Sequence, residues 1–131
     1  MDIFYAYATD PVAESSGRTF PLSKDSEIKV ARTGNPAYLK ALRQRMQDSQ
    51  IDTEDTSEAN EALVTKLINE TLSETILLGW KGLKFKGEDL PYSREAALKL
   101  LALPDFRKRV TVIADNYQSF LVKEEVAQGN A

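Results

Sequence analysis

The sequence contains no cysteine and no histidine. Without cysteine there is no disulfide, no thiolate zinc site and no cysteine nucleophile. Without histidine the chain lacks the usual general base near neutral pH and every Ser-His-Asp arrangement. An enzyme would have to use carboxylates, lysine or tyrosine. A carboxylate-dependent enzyme would need a deep pocket around paired acids, and this is the least favoured of the functional hypotheses. We therefore expect a protein that is not an enzyme and has neither a cofactor nor a resident metal.

Long apolar runs are also missing. Those present span only a few residues, far short of the ~20 that a membrane helix needs. The amino terminus, Met1–Tyr7, lacks the basic start and apolar run of a signal peptide. The net charge of −3 disfavours general affinity for nucleic acid but leaves room for a local basic patch. These features predict a cytosolic protein without a membrane partner.

The first 35 residues are rich in turns and short segments. Glu27–Arg32 alternates polar and apolar residues, which is typical of a half-buried strand. Arg18–Leu22 is its candidate antiparallel partner, and Pro21 would confine that partner to a sheet edge. We therefore expect residues 1–35 to form a turn- and strand-rich segment with a short β-hairpin.

The residues that follow predict helices. Asn35-Pro36 has the pattern of an N-cap followed by a proline at the first helical position, so we expect a helix over 36–47. An acidic linker should cover 48–56, because the stretch from Gln47 to Glu61 contains six acidic residues and no Lys or Arg.

A helical region is predicted over residues 57–124. Its longest helix should run from Ser57 to Leu78 and end at Gly79 as the C′ residue. Two further helices are expected, one over Arg94–Leu103 and one from Pro104 to the region of Glu124, followed by a flexible tail at 125–131. The predicted fold class is mainly α: a single domain over residues 1–131 with about four helices and an N-terminal β-hairpin-like segment.

Two aromatic features each have a structural and a functional interpretation. The last predicted helix carries a stripe with heptad spacing: Phe106, Val110, Ile113, Tyr117 and Phe120. It could be a partner-helix seam, but about two heptads favour the core face of an ordinary helix. Trp80, the only tryptophan, could be an interface anchor. We favour a structural role in which Trp80 covers the seam between the long helix and the turn-rich connector that follows it, Trp80 to Tyr92.

Two basic clusters interrupt this acidic protein, Lys81-Lys84-Lys86 and Arg107-Lys108-Arg109. Neither is accompanied by an RNA-recognition motif or a zinc finger. Contact with an acidic protein segment is favoured over contact with nucleic acid. The alternative is a small nucleic-acid-binding or regulatory protein that uses the Lys81–Lys86 and Arg107–Arg109 clusters.

A longer pattern resembles a known family. Gly79-Trp80 is followed by the connector Gly82-Leu-Lys-Phe-Lys-Gly-Glu-Asp-Leu-Pro-Tyr-Ser93, then by Arg94-Glu-Ala-Ala-Leu-Lys-Leu-Leu101 and Pro104-Asp-Phe-Arg107. This pattern resembles the tail assembly chaperones of long-tailed, lambda-like bacteriophages. The resemblance is strongest over Glu74–Lys123 and weaker over Phe20–Arg43.

The resemblance implies a non-enzymatic role in virion morphogenesis. Such proteins are late proteins that hold the tape measure protein in the host cytoplasm, bring tail tube subunits to it and are absent from the mature virion. It also implies self-association and a longer form of the protein made by ribosomal frameshifting. No binding residues carry over from the family. Surface logic alone nominates nine partner-binding candidates: Trp80, Phe85, Tyr92, Phe106, Arg107, Lys108, Arg109, Tyr117 and Phe120.

Overall fold

Six α-helices and five β-strands make up the part of the chain that the computed structural model describes, residues 1–124. The helices are α1 (Ile3–Tyr7), α2 (Pro11–Ser16), α3 (Pro36–Asp48), α4 (Glu58–Thr75), α5 (Arg94–Leu101) and α6 (Pro104–Asp115). The strands are β1 (Arg18–Ser23), β2 (Ser26–Val30), β3 (Leu77–Lys81), β4 (Lys84–Phe85) and β5 (Glu88–Asp89). A 3₁₀-helix covers Tyr117–Phe120. The predicted flexible tail at 125–131 lies outside the described residues.

The predicted fold class is wrong. β1, β2 and β3 form a three-stranded antiparallel sheet with β2 in the centre, and β4 and β5 form a second, two-stranded sheet. The helices α1 and α2 were not expected either. The chain is therefore an α+β fold in which helices pack on an antiparallel sheet. The sequence did not indicate this sheet because β2 pairs with a strand that lies beyond both α3 and α4.

The N-terminal hairpin is confirmed. β1 pairs with β2 in antiparallel register, with Arg18 opposite Val30 and Phe20 opposite Ile28. β1 is an edge strand, so Pro21 interrupts no ladder on its outer side.

The predicted continuation of the long helix to Leu78 is wrong. α4 ends at Thr75, where the N–H of Ile76 donates to the carbonyl of Leu72. Gly79, predicted as the C′ residue, instead lies inside β3 opposite Lys29. The apolar run after Thr75 fits a helix face and a buried strand equally well, and pairing with β2 decides between them.

The hydrophobic core lies between the sheet and helices α4, α5 and α6. Its members include side chains with no exposed surface: Ile28, Val30, Leu72, Ile76, Leu77, Leu101 and Val110. Each such side chain contributes roughly 1.5–3 kcal/mol relative to an exposed position. α3 packs beside α4 but contributes no buried residue of its own.

The predicted helix starts are confirmed, whereas the end of the last helix is not. Asn35, Ser57 and Ser93 each accept a hydrogen bond from a backbone N–H of the first turn of α3, α4 or α5. α6 stops at Asp115 because Asn116 adopts an extended conformation, with φ −87° and ψ 112°. The side chain of Asn116 then caps the 3₁₀-helix, so the heptad stripe crosses a break in the helix.

The N-terminal segment packs against the C-terminal end of the described chain. The N–H of Asp10 donates to the carbonyl of Phe120 at 2.8 Å, and the N–H of Val122 donates to that of Ala8 at 2.8 Å. The Arg32 guanidinium pairs with Glu14 of α2 at 2.9 Å. These bonds hold α1 and α2 against the rest of the fold.

No helix within residues 1–124 has the length and apolar character needed to cross a membrane.

Candidate functional site

The aromatic pair in the connector is bonded internally. Nε1 of Trp80 donates to the carbonyl of Leu90 at 2.7 Å, and the hydroxyl of Tyr92 donates to the carbonyl of Leu77 at 2.8 Å. The two rings meet edge to face with centroids 4.8 Å apart. Burial raises the pKa of the Tyr92 hydroxyl above its usual range. Trp80 and Tyr92 therefore hold the connector against β3.

Phe85 lies on the small β4–β5 hairpin and takes no part in the hydrogen bonds of Trp80 and Tyr92. Its turn residues Lys86 and Gly87 both have positive φ, 52° and 85°, as a tight two-residue hairpin turn requires. Nζ of Lys99 on α5 lies 4.6 Å from the Phe85 ring centroid. This cation–π contact ties the hairpin to α5.

The four candidates at the start of α6 divide into two kinds. Phe106 is half-buried and packs against the core. Arg107 donates to the carbonyl of Leu101 at 3.2 Å and to Oδ1 of Asn69 at 3.5 Å. Lys108 and Arg109 are exposed to solvent. Arg107 is thus bonded within the fold, whereas Lys108 and Arg109 extend into solvent.

The last two candidates also pack internally. The Tyr117 ring stacks on Tyr7 of α1, with centroids 5.6 Å apart. Phe120 has no exposed surface and meets Phe20 of β1 edge to face at 6.1 Å. The nine candidates thus do not converge on one patch: the structure joins Trp80 to Tyr92, and distributes the others over the hairpin, α6 and the 3₁₀-helix.

An open apolar surface lies elsewhere, between α3, the following linker and α4. It consists of two adjoining depressions of about 430 and 490 Å³ that share Met46, Ile51 and Thr53. We call this surface the α3–α4 groove. Its apolar lining comes from both helices and the linker: Leu39, Leu42, Met46, Ile51 and Val64.

The linker is folded back onto α3 to form this groove. Gln50 adopts a left-handed conformation with φ 52°, and the N–H of Ile51 then donates to the carbonyl of Met46 at 3.1 Å. Asn60 of α4 donates from its side-chain amide to the carbonyls of Asp52 and Asp55. The acidic segment is therefore an ordered wall of the groove.

The two sides of the groove differ in charge. All six carboxylates of the acidic segment are exposed: Asp48, Asp52, Glu54, Asp55, Glu58 and Glu61. Two of them, Asp55 and Glu61, line the groove. On the α3 side, the groove is lined by exposed Arg43. A hydrogen bond from Ser57 keeps the pKa of Asp55 below its usual range, so this carboxylate stays ionised.

The sequence contains a pattern that indicates this groove, although none of the nine candidate residues lies in it. Tyr38, Leu39, Leu42 and Met46 have the spacing of one helix face, and a core helix would bury such a face. None of the four is buried, and Leu39 is 46% exposed. An amphipathic helix beside a long single-sign segment is the pattern that could have indicated an open surface.

Comparison with known proteins identifies a phage family. The family model described as YdaY prophage protein matches residues 33–130. No curated protein and no solved structure matches the chain. Because the matched range covers more than half of the sequence, the chain belongs to the YdaY prophage protein family. The match establishes phage ancestry, and the role in tail assembly stays a prediction.

Proposed function

We propose that this member of the YdaY prophage protein family is a tail assembly chaperone. It would act without catalysis, binding the tape measure protein and recruiting tail tube subunits while the tail forms. The proposal places it in the host cell cytoplasm and leaves it out of the mature virion. Self-association and a longer frameshifted form belong to the same proposal.

The observation that carries the proposal is the α3–α4 groove. An open apolar floor between walls of opposite charge suits an amphipathic helix of another protein, since apolar contact supplies affinity and the charged rims set orientation. Phage ancestry supports a client from the same phage. The resemblance over Glu74–Lys123 adds support for tail assembly in particular.

Co-purification tests the proposal. The tagged protein is co-expressed with the tape measure and tail tube proteins of its own prophage, and the eluate is treated with nuclease before mass spectrometry. We expect the tape measure protein to be retained after nuclease treatment. Recovery of neither phage protein would contradict the proposal.

A second candidate function rests on the exposed lysines and arginine outside the groove. Lys81, Lys84 and Lys86 are exposed on and beside the connector, and so are Lys108 and Arg109. These side chains could contact phosphates of DNA or RNA. That function requires affinity that falls steeply as salt rises, which filter binding at two salt concentrations measures directly.

A further inference from the structure

We infer that the α3–α4 groove is the client-binding site and that it takes a short amphipathic helix with lysine or arginine along one edge of its apolar face. The inference rests on the proposed function, which it makes specific by naming a surface and the chemistry of its ligand.

The first support is the exposure of the groove's apolar residues. α3 buries no residue, although it presents an apolar face to the groove. Leu39, at the N-terminal end of the apolar row on α3, is 46% exposed, and Leu42, Met46, Ile51 and Val64 are only half-buried. Covering such side chains with another apolar face would remove them from water, which is the main favourable term in association.

The second support is charge complementarity. The segment from Asp48 to Glu61 carries six negative charges in a chain whose net charge is −3, so the remaining residues carry a net charge of +3. None of the ion pairs within residues 1–124 uses these six carboxylates. A basic edge on the ligand would give them partners.

The third support is direction. Arg43 lines the α3 side of the groove, whereas the carboxylates that line it, Asp55 and Glu61, belong to the linker and α4. A ligand helix with basic residues on both edges would be repelled by the basic side chain on α3. A helix bound in the reversed orientation would place charges of the same sign next to each other. The ligand helix therefore has its basic edge towards the linker and α4, with acidic or neutral residues towards α3.

The fourth support is size. Leu39 and Met46 mark the ends of the apolar row on α3, which is two helical turns, about 10 Å at ~1.5 Å per residue. A ligand helix of two to three turns fills this length. The site thus accommodates a short helical segment of its client.

The test uses the full chain and synthetic peptides. Overlapping peptides that tile the tape measure protein of the same prophage are titrated by fluorescence anisotropy into the wild-type protein and into two variants. Leu39→Lys places a charge in the groove, and Val112→Lys places the same charge at a 56% exposed apolar position on α6. Circular dichroism checks that both variants keep their helix content.

We expect wild type and Val112→Lys to bind one or more basic amphipathic peptides equally, and Leu39→Lys to bind them about tenfold or more weakly. Neutralising the lining carboxylates with Asp55→Asn and Glu61→Gln should weaken binding several-fold and reduce its salt dependence. Neutralising Glu88 and Asp89 on β5 in the same way should change neither.

The possible failures are distinguishable. If peptides bind but Leu39→Lys binds them as tightly as wild type, the groove is not the site and the proposed function stands. If no tape measure peptide binds, a designed 18-residue Leu/Lys amphipathic helix serves as the probe. Its binding to wild type but not to Leu39→Lys would support the groove's chemistry and count against the tape measure protein as client. If Leu39→Lys instead abolishes self-association in analytical ultracentrifugation, a second copy occupies the groove and the inference is overturned.

Discussion

At the scale of single residues, aromatic side chains that stand out in the sequence complete bonds within the fold. Trp80 and Tyr92 donate their polar hydrogens to backbone carbonyls, and Phe120 is fully buried. Their residue type makes them candidates, but it does not distinguish a contact residue from a core residue. Burial makes that distinction, and burial depends on long-range packing.

Phe120→Ala tests this assignment. We expect it to lower the free energy of unfolding by about 3–5 kcal/mol, because it leaves a cavity beside Phe20. Urea denaturation measures the change, with exposed Val112→Ala as a control that should change it little. A variant of wild-type stability that had lost client binding would show instead that Phe120 is a contact residue.

Gly82 is the second residue whose role is local and testable. It has φ +74°, and a Cβ there would collide with the carbonyl oxygen of Asp25 in the β1–β2 turn. Gly87 has a similar φ of +85°, with no atom near the position of a Cβ. Alanine at either position costs roughly 1–2 kcal/mol for the left-handed conformation.

We therefore expect Gly82→Ala to be less stable than Gly87→Ala by about a further 1–3 kcal/mol, the usual cost of overpacking. Thermal unfolding of the two variants side by side gives the difference. Equal melting temperatures would mean that the approach between Gly82 and the β1–β2 turn does not constrain the fold.

At the scale of elements, those that depend on nearby residues could be predicted from the sequence, and those that depend on distant residues could not. The starts of α3, α4 and α5 and the hairpin of β1 with β2 depend on neighbours in sequence, and the sequence predicted them. The strand β3 depends on β2, which lies almost fifty positions earlier. Its apolar residues continue the pattern of α4, so no local signal separates the two.

The open groove could be predicted only in part, for the same reason. The amphipathic α3 and the acidic linker are both visible in the sequence, but the fact that nothing covers Leu39 is not. The exposed state of that face follows from the position of α3 outside the core, which only the assembled fold reveals.

Glu74 joins three helices and gives the element scale its test. From α4 its carboxylate accepts from Arg45 of α3 at 3.0 Å and from Arg94 of α5 at 2.9 Å. The hydrogen bond from Arg45, above all, holds the pKa of Glu74 below its ordinary value of 4.5. The stabilisation is therefore complete above that value and is lost as the pH falls through the lowered pKa of the folded state.

We expect Glu74→Gln to lower the free energy of unfolding by about 0.5–1 kcal/mol at pH 7, a small effect because the carboxylate is partly exposed. The difference between wild type and variant should shrink as the pH falls below 4.5 and disappear once the pH is below the lowered pKa of Glu74 in the folded state. Chemical denaturation across this pH range measures it. A difference that persisted at low pH would mean that the ion pairs are not its source.

At the scale of the whole molecule, the family match and the folded unit have different boundaries. The match begins at residue 33, just after β2. Yet Ile28 and Val30 of β2 have no exposed surface and lie in the same core as α4, α5 and α6. The central strand of the sheet thus lies outside the matched range, and the fold needs it.

Truncation tests that dependence. We expect a fragment of residues 33–131 to lack a cooperative unfolding transition. The loss of β1 and β2 exposes the core, and the total stability of a typical domain, about 5–15 kcal/mol, is too small to offset that loss. A fragment of residues 18–131, which retains both strands, should fold with reduced stability. Dispersed amide resonances from the shorter fragment would contradict this account of the core.

The most direct measurement of the central claim is the solubility of the tape measure protein expressed with and without this chain. The account predicts that the tape measure protein aggregates alone, becomes soluble when wild type is co-expressed, and aggregates again with Leu39→Lys. A tape measure protein whose solubility is the same in the presence and absence of wild type would contradict the chaperone function.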